Sequence, residues 1–433
     1  MYISLSDRSG GKRDKPQGMG TALSSEVPFR LSPVILWLGI VSMVTDVSSE
    51  SVSAILPLYV TGFLGLSTIA FGVIDGINQG ASAIVRIAAG WAADRTGHPK
   101  RIALAGYGLS MLARIGFLFA GGFWAIAAIV TADRIGKGIR TAPRDALISV
   151  SAQPQHLARS FGVHRMLDNI GAAAGPLIAF FVLLMIPNGF STVFVVSLAF
   201  AVIGVAVLGL VVPDIQAKAL KGSGAREGHR LFAFSWSHLK EPGLGKLLIA
   251  AGLLGLATIG DGFIYLVLQD RDSFAVQWFP LLFVGTNVVF LALAIPMGRL
   301  ADRVGKIPVF VAGHVALLTT YLLAAAPFGV LWATVGCLVL LGAFYAGTDG
   351  VLAALASQLT PSGKLATGIA SAQTVVALTR MLASAGFGVL WYAVGASTAM
   401  LLAGALLAGA VLAVVFILRG AKRAVPADVS DDA

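Results

Sequence analysis

The sequence predicts an all-α membrane protein: twelve transmembrane helices arranged as two pseudo-symmetric six-helix bundles. Composition, a series of apolar runs and an internal repeat carry this prediction. Hydrophobic residues make up 57% of the 433 residues and charged residues only 12%, about half the charged share of a typical soluble domain. A water-soluble chain of that balance lacks the polar surface to cover itself. A bilayer removes the difficulty, because lipid solvates apolar side chains and roughly 20 of them in a row span it as a helix.

About twelve such runs can be placed. They lie at 33–61, 69–92, 101–121, 123–147, 161–186, 190–212, 244–268, 276–298, 307–327, 330–357, 366–392 and 395–418. Residues 1–32 read as a flexible polar lead, 33–212 as the first bundle, 213–243 as a polar linker, 244–418 as the second bundle and 419–433 as a tail. Roughly thirty polar residues before the first apolar run argue against a removable signal peptide. The single cysteine, Cys337, excludes an intrachain disulfide and a cysteine-based metal cluster.

Positive charge sets the expected orientation. With the N-terminus in the cytoplasm, inside segments hold Arg30, Arg95, Lys100, Arg101, Lys218, Lys221, Arg226, Arg230, Arg299, Arg303, Lys306 and Lys364 among others. The outside loops hold one cation, Arg271, flanked by Asp270 and Asp272. That asymmetry follows the positive-inside rule and places both termini in the cytoplasm of a plasma-membrane protein. The net charge of +10 is then matched by anionic lipid of the inner leaflet, and no nucleic-acid partner is needed.

The halves repeat one another. "GWAADRTGHPKR" (Gly90 to Arg101) follows the second predicted helix, and "GRLADRVGKIPV" (Gly298 to Val309) follows the eighth. Glycine, Asp-Arg and glycine recur at the same spacing, which indicates two bundles of common origin facing one another across a central path. This doubled G-x-x-x-D-R-x-G resembles the signature loop of the major facilitator superfamily. Twelve helices in a 6+6 arrangement with a long middle loop fit that family across 33–418. The first copy departs from the usual basic run, with His98 and Pro99 intervening. Gly90 and Gly298 permit close helix approach, and Asp94 and Asp302 are placed to meet a helix N-terminus or a cation of the opposite half. The resemblance implies a cytoplasmic gate held shut by these contacts, with Arg95, Arg101 and Arg303 as its further residues. An ordinary turn that only marks topology is the alternative.

The fifth predicted helix carries "DNIGAAAGPLIAF" (Asp168 to Phe180). Gly171, Gly175 and Pro176 form a G-x-x-x-G-P run that permits tight packing and local bending. In the superfamily a longer form of this run accompanies exporters; Ala179 and Phe180 stand where its last two glycines would fall.

The fourth predicted helix runs from "GGFWAIAAIV" straight into "TADRIGKGIRTAPRDALIS". At 100° per residue, Asp133, Lys137, Arg140 and Arg144 share an arc of roughly 60°, with Arg134 and Asp145 beside it. Charge near a bilayer centre costs a few kcal/mol or more unless paired or hydrated, so this stripe is expected to face the bundle interior or a wet cavity. Snorkelling of Arg140 and Arg144 to the membrane surface is the structural alternative. Pro143 is expected to end the regular helix a turn early. Arg134, followed by Gly136 and Gly138, resembles the family's helix-four arginine, which implies a link to proton coupling. The whole string resembles a helix-four pattern of a poorly characterised prokaryotic branch.

Counter-charges lie on other helices. "SMVTDVSSESVS" places Asp46 and Glu50 four apart in an otherwise apolar run, with Ser42, Ser49 and Ser53 on the same side. Two nearby carboxylates in low dielectric suit a proton site; a static salt bridge to helix four is the alternative. Asp168, Asp261, Asp349 and Arg380 are the other intramembrane candidates, and Asp75, Asn78, Gln79 and Arg86 line one helix. Arg114 and His164 are read only as satisfying neighbours.

No Walker loop, H-E-x-x-H pair or nucleophile elbow appears, so neither an enzyme nor a cofactor is expected. The expected activity is secondary active transport by alternating access, with protons and a small organic solute exchanged for efflux. Transport of an anionic metabolite, bound by Lys137, Arg140 and Arg380, is the runner-up. A divalent cation on Asp46, Glu50 and Asp261 is a third reading, although no dedicated metal site is expected.

Overall fold

A computed structural model describes residues 31–96, 98–214, 242–327, 331–360 and 365–419. The first half contains α1 (Pro33–Leu58, continued by a π-turn over Tyr59–Phe63), α2 (Thr68–Thr96), α3 (Pro99–Phe119), α4 (Phe123–Ser151), α5 (Leu157–Met185) and α6 (Phe190–Leu210). The second half contains α7 (Pro242–Leu256), α8 (Asp261–Asp272), α9 (Pro280–Val304), α10 (Lys306–Ala325), α11 (Leu331–Leu359), α12 (Leu365–Val394) and α13 (Ala396–Arg419). The polar stretch 215–241 lies outside the described residues, as do residues 1–30 and 420–433.

Among the described residues, ten helical segments are long and apolar enough to cross a membrane. The 29-residue helices α2 and α4 are long enough but carry too many polar groups. Asp75, Asn78 and Gln79 lower the hydropathy of α2, and the charge stripe lowers that of α4. Both surround themselves with protein: α4 packs against α2 and α3, and α2 packs across the molecule against α12. Polar residues in a spanning helix are thereby turned away from lipid.

Three sequence expectations are corrected. The predicted helix 244–268 is two helices, interrupted over Ala257–Gly260. At the interruption the Ile259 amide donates to the Tyr321 hydroxyl at 2.9 Å, and that hydroxyl donates to the Ala257 carbonyl at 3.2 Å. One phenol thus satisfies backbone groups that a break in the bilayer would otherwise orphan. Pro143 does not end α4, which continues to Ser151. The G-x-x-x-D-R segments are not loops but the closing turns of α2 and α9.

The connections that follow those turns, with Arg101 and Lys306, mark the basic end of the molecule; the opposite end is called the far end. Named contacts between the halves gather toward the far end. Thr68 donates to the Gly388 carbonyl at 3.0 Å. Phe71 meets Phe263 edge-on at 4.8 Å, and Phe180 meets Trp278 at 5.4 Å.

Within the first half, α1 and α5 are closely packed along the Gly171–Gly175 face. A Cβ at Gly171 would enter the Met43 carbonyl, and one at Gly175 would sit 2.8 Å from the Ser51 nitrogen. The small-residue reading of that motif therefore has a physical basis: it brings α5 against the acidic stretch of α1. Gly171→Ala is expected to destabilise by about 1–3 kcal/mol through overpacking. A lowered thermal unfolding midpoint of the purified protein checks this, with Gly162→Ala, whose Cβ would meet nothing, as the control.

Candidate functional site

The charge stripe of α4 is interior. Asp133 is 3% exposed and sits between two guanidiniums, Arg114 at 2.9 Å and Arg134 at 2.6 Å. Arg114, on α3, is itself 2% exposed and donates to the hydroxyls of Ser48 and Ser49 at 3.2 Å each. This three-residue cluster ties α1, α3 and α4 together. Arg114 was visible in the sequence as a lone cation in "SMLARIGFLF", but its partner lies 19 residues away across a helix turnaround that residue spacing does not reveal.

Lower on α4, each cation meets an acid of α1 or α5. Lys137 lies 3.7 Å from Glu50, and Arg140 lies 3.4 Å from Asp46 while stacking 4.6 Å from the centroid of Tyr107. Arg144 pairs with Asp145 at 3.0 Å and Asp168 at 3.7 Å, and donates to Ser42 at 3.1 Å. Ser42 also contacts His164 at 3.0 Å. Arg140 is 3% exposed, so neither it nor the internally paired Arg144 snorkels to the surface. Arg165, largely exposed, adds a 3.9 Å contact to Asp168.

Two cavities flank this ladder. A central one of about 350 Å³ lies between the halves, bordered by Glu50, Asp75, Arg134, Asp261, Tyr345 and Asp349. A second of about 340 Å³ lies nearer the basic end, bordered by Asp46, Arg86, Lys137, Arg140, Arg144 and Asp168 from the first half, with Gln373 and Ala377 from α12. The ion pairs of α1 with α4 therefore stand at the walls of both. Asp46 and Asp261 border different cavities, and among the described residues no cluster of three His, Cys, Asp or Glu is placed to hold a metal. The proposed divalent-cation triad is not assembled.

In the second half, the Tyr345 hydroxyl donates to both Asp261 oxygens, at 2.7 and 2.9 Å. Arg380 lies 5.5 Å from the ring centroids of both Phe344 and Tyr345. Lys137, Arg140 and Arg380 do not converge on one ligand: the first two hold the α1 carboxylates and the third is stacked in the other half. Tyr345 and Tyr107 escaped the sequence reading, because a tyrosine in an apolar helix gives no signal of its partner.

Of the gate candidates, Asp302 and Arg303 are exposed and Arg101 makes a 3.6 Å surface contact with Asp214. A Cβ at Gly298 would meet nothing, so that glycine is not in a close helix approach. Gly90, Asp94 and Arg95 lie on α2, with their surroundings outside the described residues.

A model of the Major Facilitator Superfamily matches residues 38–285. An uncharacterized MFS-type transporter of Methanocaldococcus jannaschii is 28% identical over 373 residues, 83% of this chain and 89% of that protein. Among solved structures, the nucleoside transporter NupG superposes with a TM-score of 0.76 at 15% identity, covering 89% of this chain and 99% of NupG. A bacterial homolog of the human lysosomal transporter Spinster, crystallised inward-facing and unoccupied, superposes with a TM-score of 0.71 at 14% identity, covering 92% and 98%.

Proposed function

The chain belongs to the major facilitator superfamily and is a membrane transporter of that type, and from this premise we propose that it exchanges protons for a small organic solute, exported by alternating access. The basic end is then cytoplasmic, both termini lie in the cytoplasm, and the membrane is the plasma membrane. Contacts between the halves at the far end make this an inward-facing arrangement, with the second cavity on the cytoplasmic side of the first.

One observation carries the coupling: the two α1 carboxylates that border the cavities are each held by a cation of α4, Asp46 by Arg140 and Glu50 by Lys137. A proton on either acid cancels one charge of a pair inside a low-dielectric wall, and the abandoned cation then needs another partner. Solute or the opposite carboxylate supplies it in the other state. Proton loading and helix rearrangement are in this way two sides of one equilibrium. Gating by Gly90, Asp94, Arg95, Arg101, Asp302 and Arg303 at the cytoplasmic end belongs to the same proposal, as does a structural role for Gly171, Gly175 and Pro176 in holding α5 to α1.

The test is solute flux in proteoliposomes under an imposed pH gradient, with a panel of solutes. Asp46→Asn and Glu50→Gln, separately and together, are expected to abolish the dependence of flux on the gradient while leaving downhill exchange. Gradient-driven flux that survives the double variant overturns the coupling assignment.

A further inference from the structure

The chemical class of the solute can be drawn from the charges that the central cavity leaves without partners. Its border carries four carboxylates, Glu50, Asp75, Asp261 and Asp349, against one guanidinium, Arg134. Arg134 is paired with Asp133 at 2.6 Å, a carboxylate it shares with Arg114, and Glu50 is held by Lys137. The remaining three acids stand toward the second half. Asp349 is exposed to the cavity, and among the described residues it has no ion pair within 4.0 Å. Among the described residues, Asp261 accepts its hydrogen bonds from the neutral Tyr345 hydroxyl. Asp75 is 7% exposed, yet its Oδ2 has no hydrogen-bond partner among the described residues. Arg380, stacked on the rings of Phe344 and Tyr345 behind the cavity border, lies near all three acids, and its single guanidinium offsets one negative charge of the three.

An unpartnered acid nine-tenths buried is costly in a low-dielectric wall, and a positive ligand relieves that cost. The apolar part of the border suits the same ligand. Phe290 and Tyr345 meet edge-on at 6.5 Å, and Phe283 meets Tyr265 at 4.5 Å, so aromatic faces stand beside the acids. Rings of this kind attract ammonium groups by their quadrupole and pack against an aryl or alkyl body. We infer that the central cavity binds a small organic amine, with its ammonium among Asp75, Asp261 and Asp349 and its apolar body against Phe283, Phe290 and Tyr345. This rests on the transport reading above and names the cargo of that site.

The test uses the full chain in lipid nanodiscs and three probes that share one aryl body: phenethylamine, 2-phenylethanol and phenylacetate. Calorimetric titration is expected to show phenethylamine binding at least about tenfold more tightly than the alcohol, and phenylacetate weakest. Asp349→Asn and Asp261→Asn are each expected to reduce the amine-to-alcohol ratio by about tenfold, and the exposed Asp349 position keeps its variant foldable. Equal or tighter binding of phenylacetate, absence of phenethylamine binding, or a ratio unchanged in both variants overturns the inference. Its failure is separable from that of proton coupling: gradient-driven flux of a neutral or anionic solute leaves coupling standing, whereas amine binding with no gradient-driven flux sinks coupling alone.

Discussion

Asp133→Ala is expected to destabilise the protein by about 3–5 kcal/mol, the cost of breaking a buried ionic cluster from one side. The carboxylate is 3% exposed and is the acid held directly between Arg114 and Arg134. Its loss leaves two guanidiniums inside the bundle, with Arg114 retaining only the hydroxyls of Ser48 and Ser49. Removing one charge from each side should cost less, because one guanidinium, Arg134, is left without its carboxylate instead of two. The double variant Arg114→Met, Asp133→Leu is therefore expected to unfold at a higher temperature than Asp133→Ala alone. Thermal unfolding of the purified variants checks the order; the reverse order would mean that the cluster stabilises through its charges and not through their mutual cancellation.

Gly388→Val is expected to shift the molecule out of the arrangement described here while leaving its fold intact. A Cβ at Gly388 would meet the Gly72 Cα at 3.0 Å, and one at Gly72 would meet the Ser384 carbonyl at 2.7 Å. These are backbone atoms of α2 and α12, so the clash cannot be relieved by a rotamer. Overpacking of this kind costs about 1–3 kcal/mol. Here the cost is confined to the state in which the far ends touch, so it acts on the conformational equilibrium, by roughly five- to a hundredfold. A cysteine at Asn287, which borders the central cavity, reports the shift in a Cys337→Ser background. Its labelling by a membrane-impermeant thiol reagent from the far side should rise in the Gly388→Val variant. Unchanged labelling with a lowered unfolding midpoint would place the cost on the fold.

Much of the architecture was legible because the bilayer imposes it. Apolar run lengths and the doubled Gly-Asp-Arg pattern lead to the twelve spans and their two halves. What composition could not reveal was the interruption over Ala257–Gly260. That stretch, Ala-Thr-Ile-Gly, carries no charge, and its break is tolerated because a tyrosine 62 residues away supplies the missing hydrogen bonds. The site was legible on one side. Periodicity put Asp133, Lys137, Arg140 and Arg144 on one stripe of α4, and the structure keeps that stripe inside. Which acid each cation meets depends on how α1, α3 and α5 are set around α4, and no spacing within one helix encodes it. Asp75 shows the same limit: between Ile74 and Gly76 in "VIDGINQ", it reads as one polar residue among several, and its orphan oxygen emerges only when α2 meets the second half.

Rocking of the two halves about the central cavity is tested most directly by spin-label distances across one pair of helices. α4 and α11 are counterparts, and each offers exposed positions at both ends: Trp124 and Leu331 at the far end, Ser149 and Gln358 at the basic end. In a Cys337→Ser background, labels on each pair give two distance distributions, measured at neutral and acidic pH and with added phenethylamine. Alternating access predicts opposite changes: the far-end distance lengthens in the population whose basic-end distance shortens. Two distributions that stay fixed under all conditions, or that lengthen and shorten together, would contradict it.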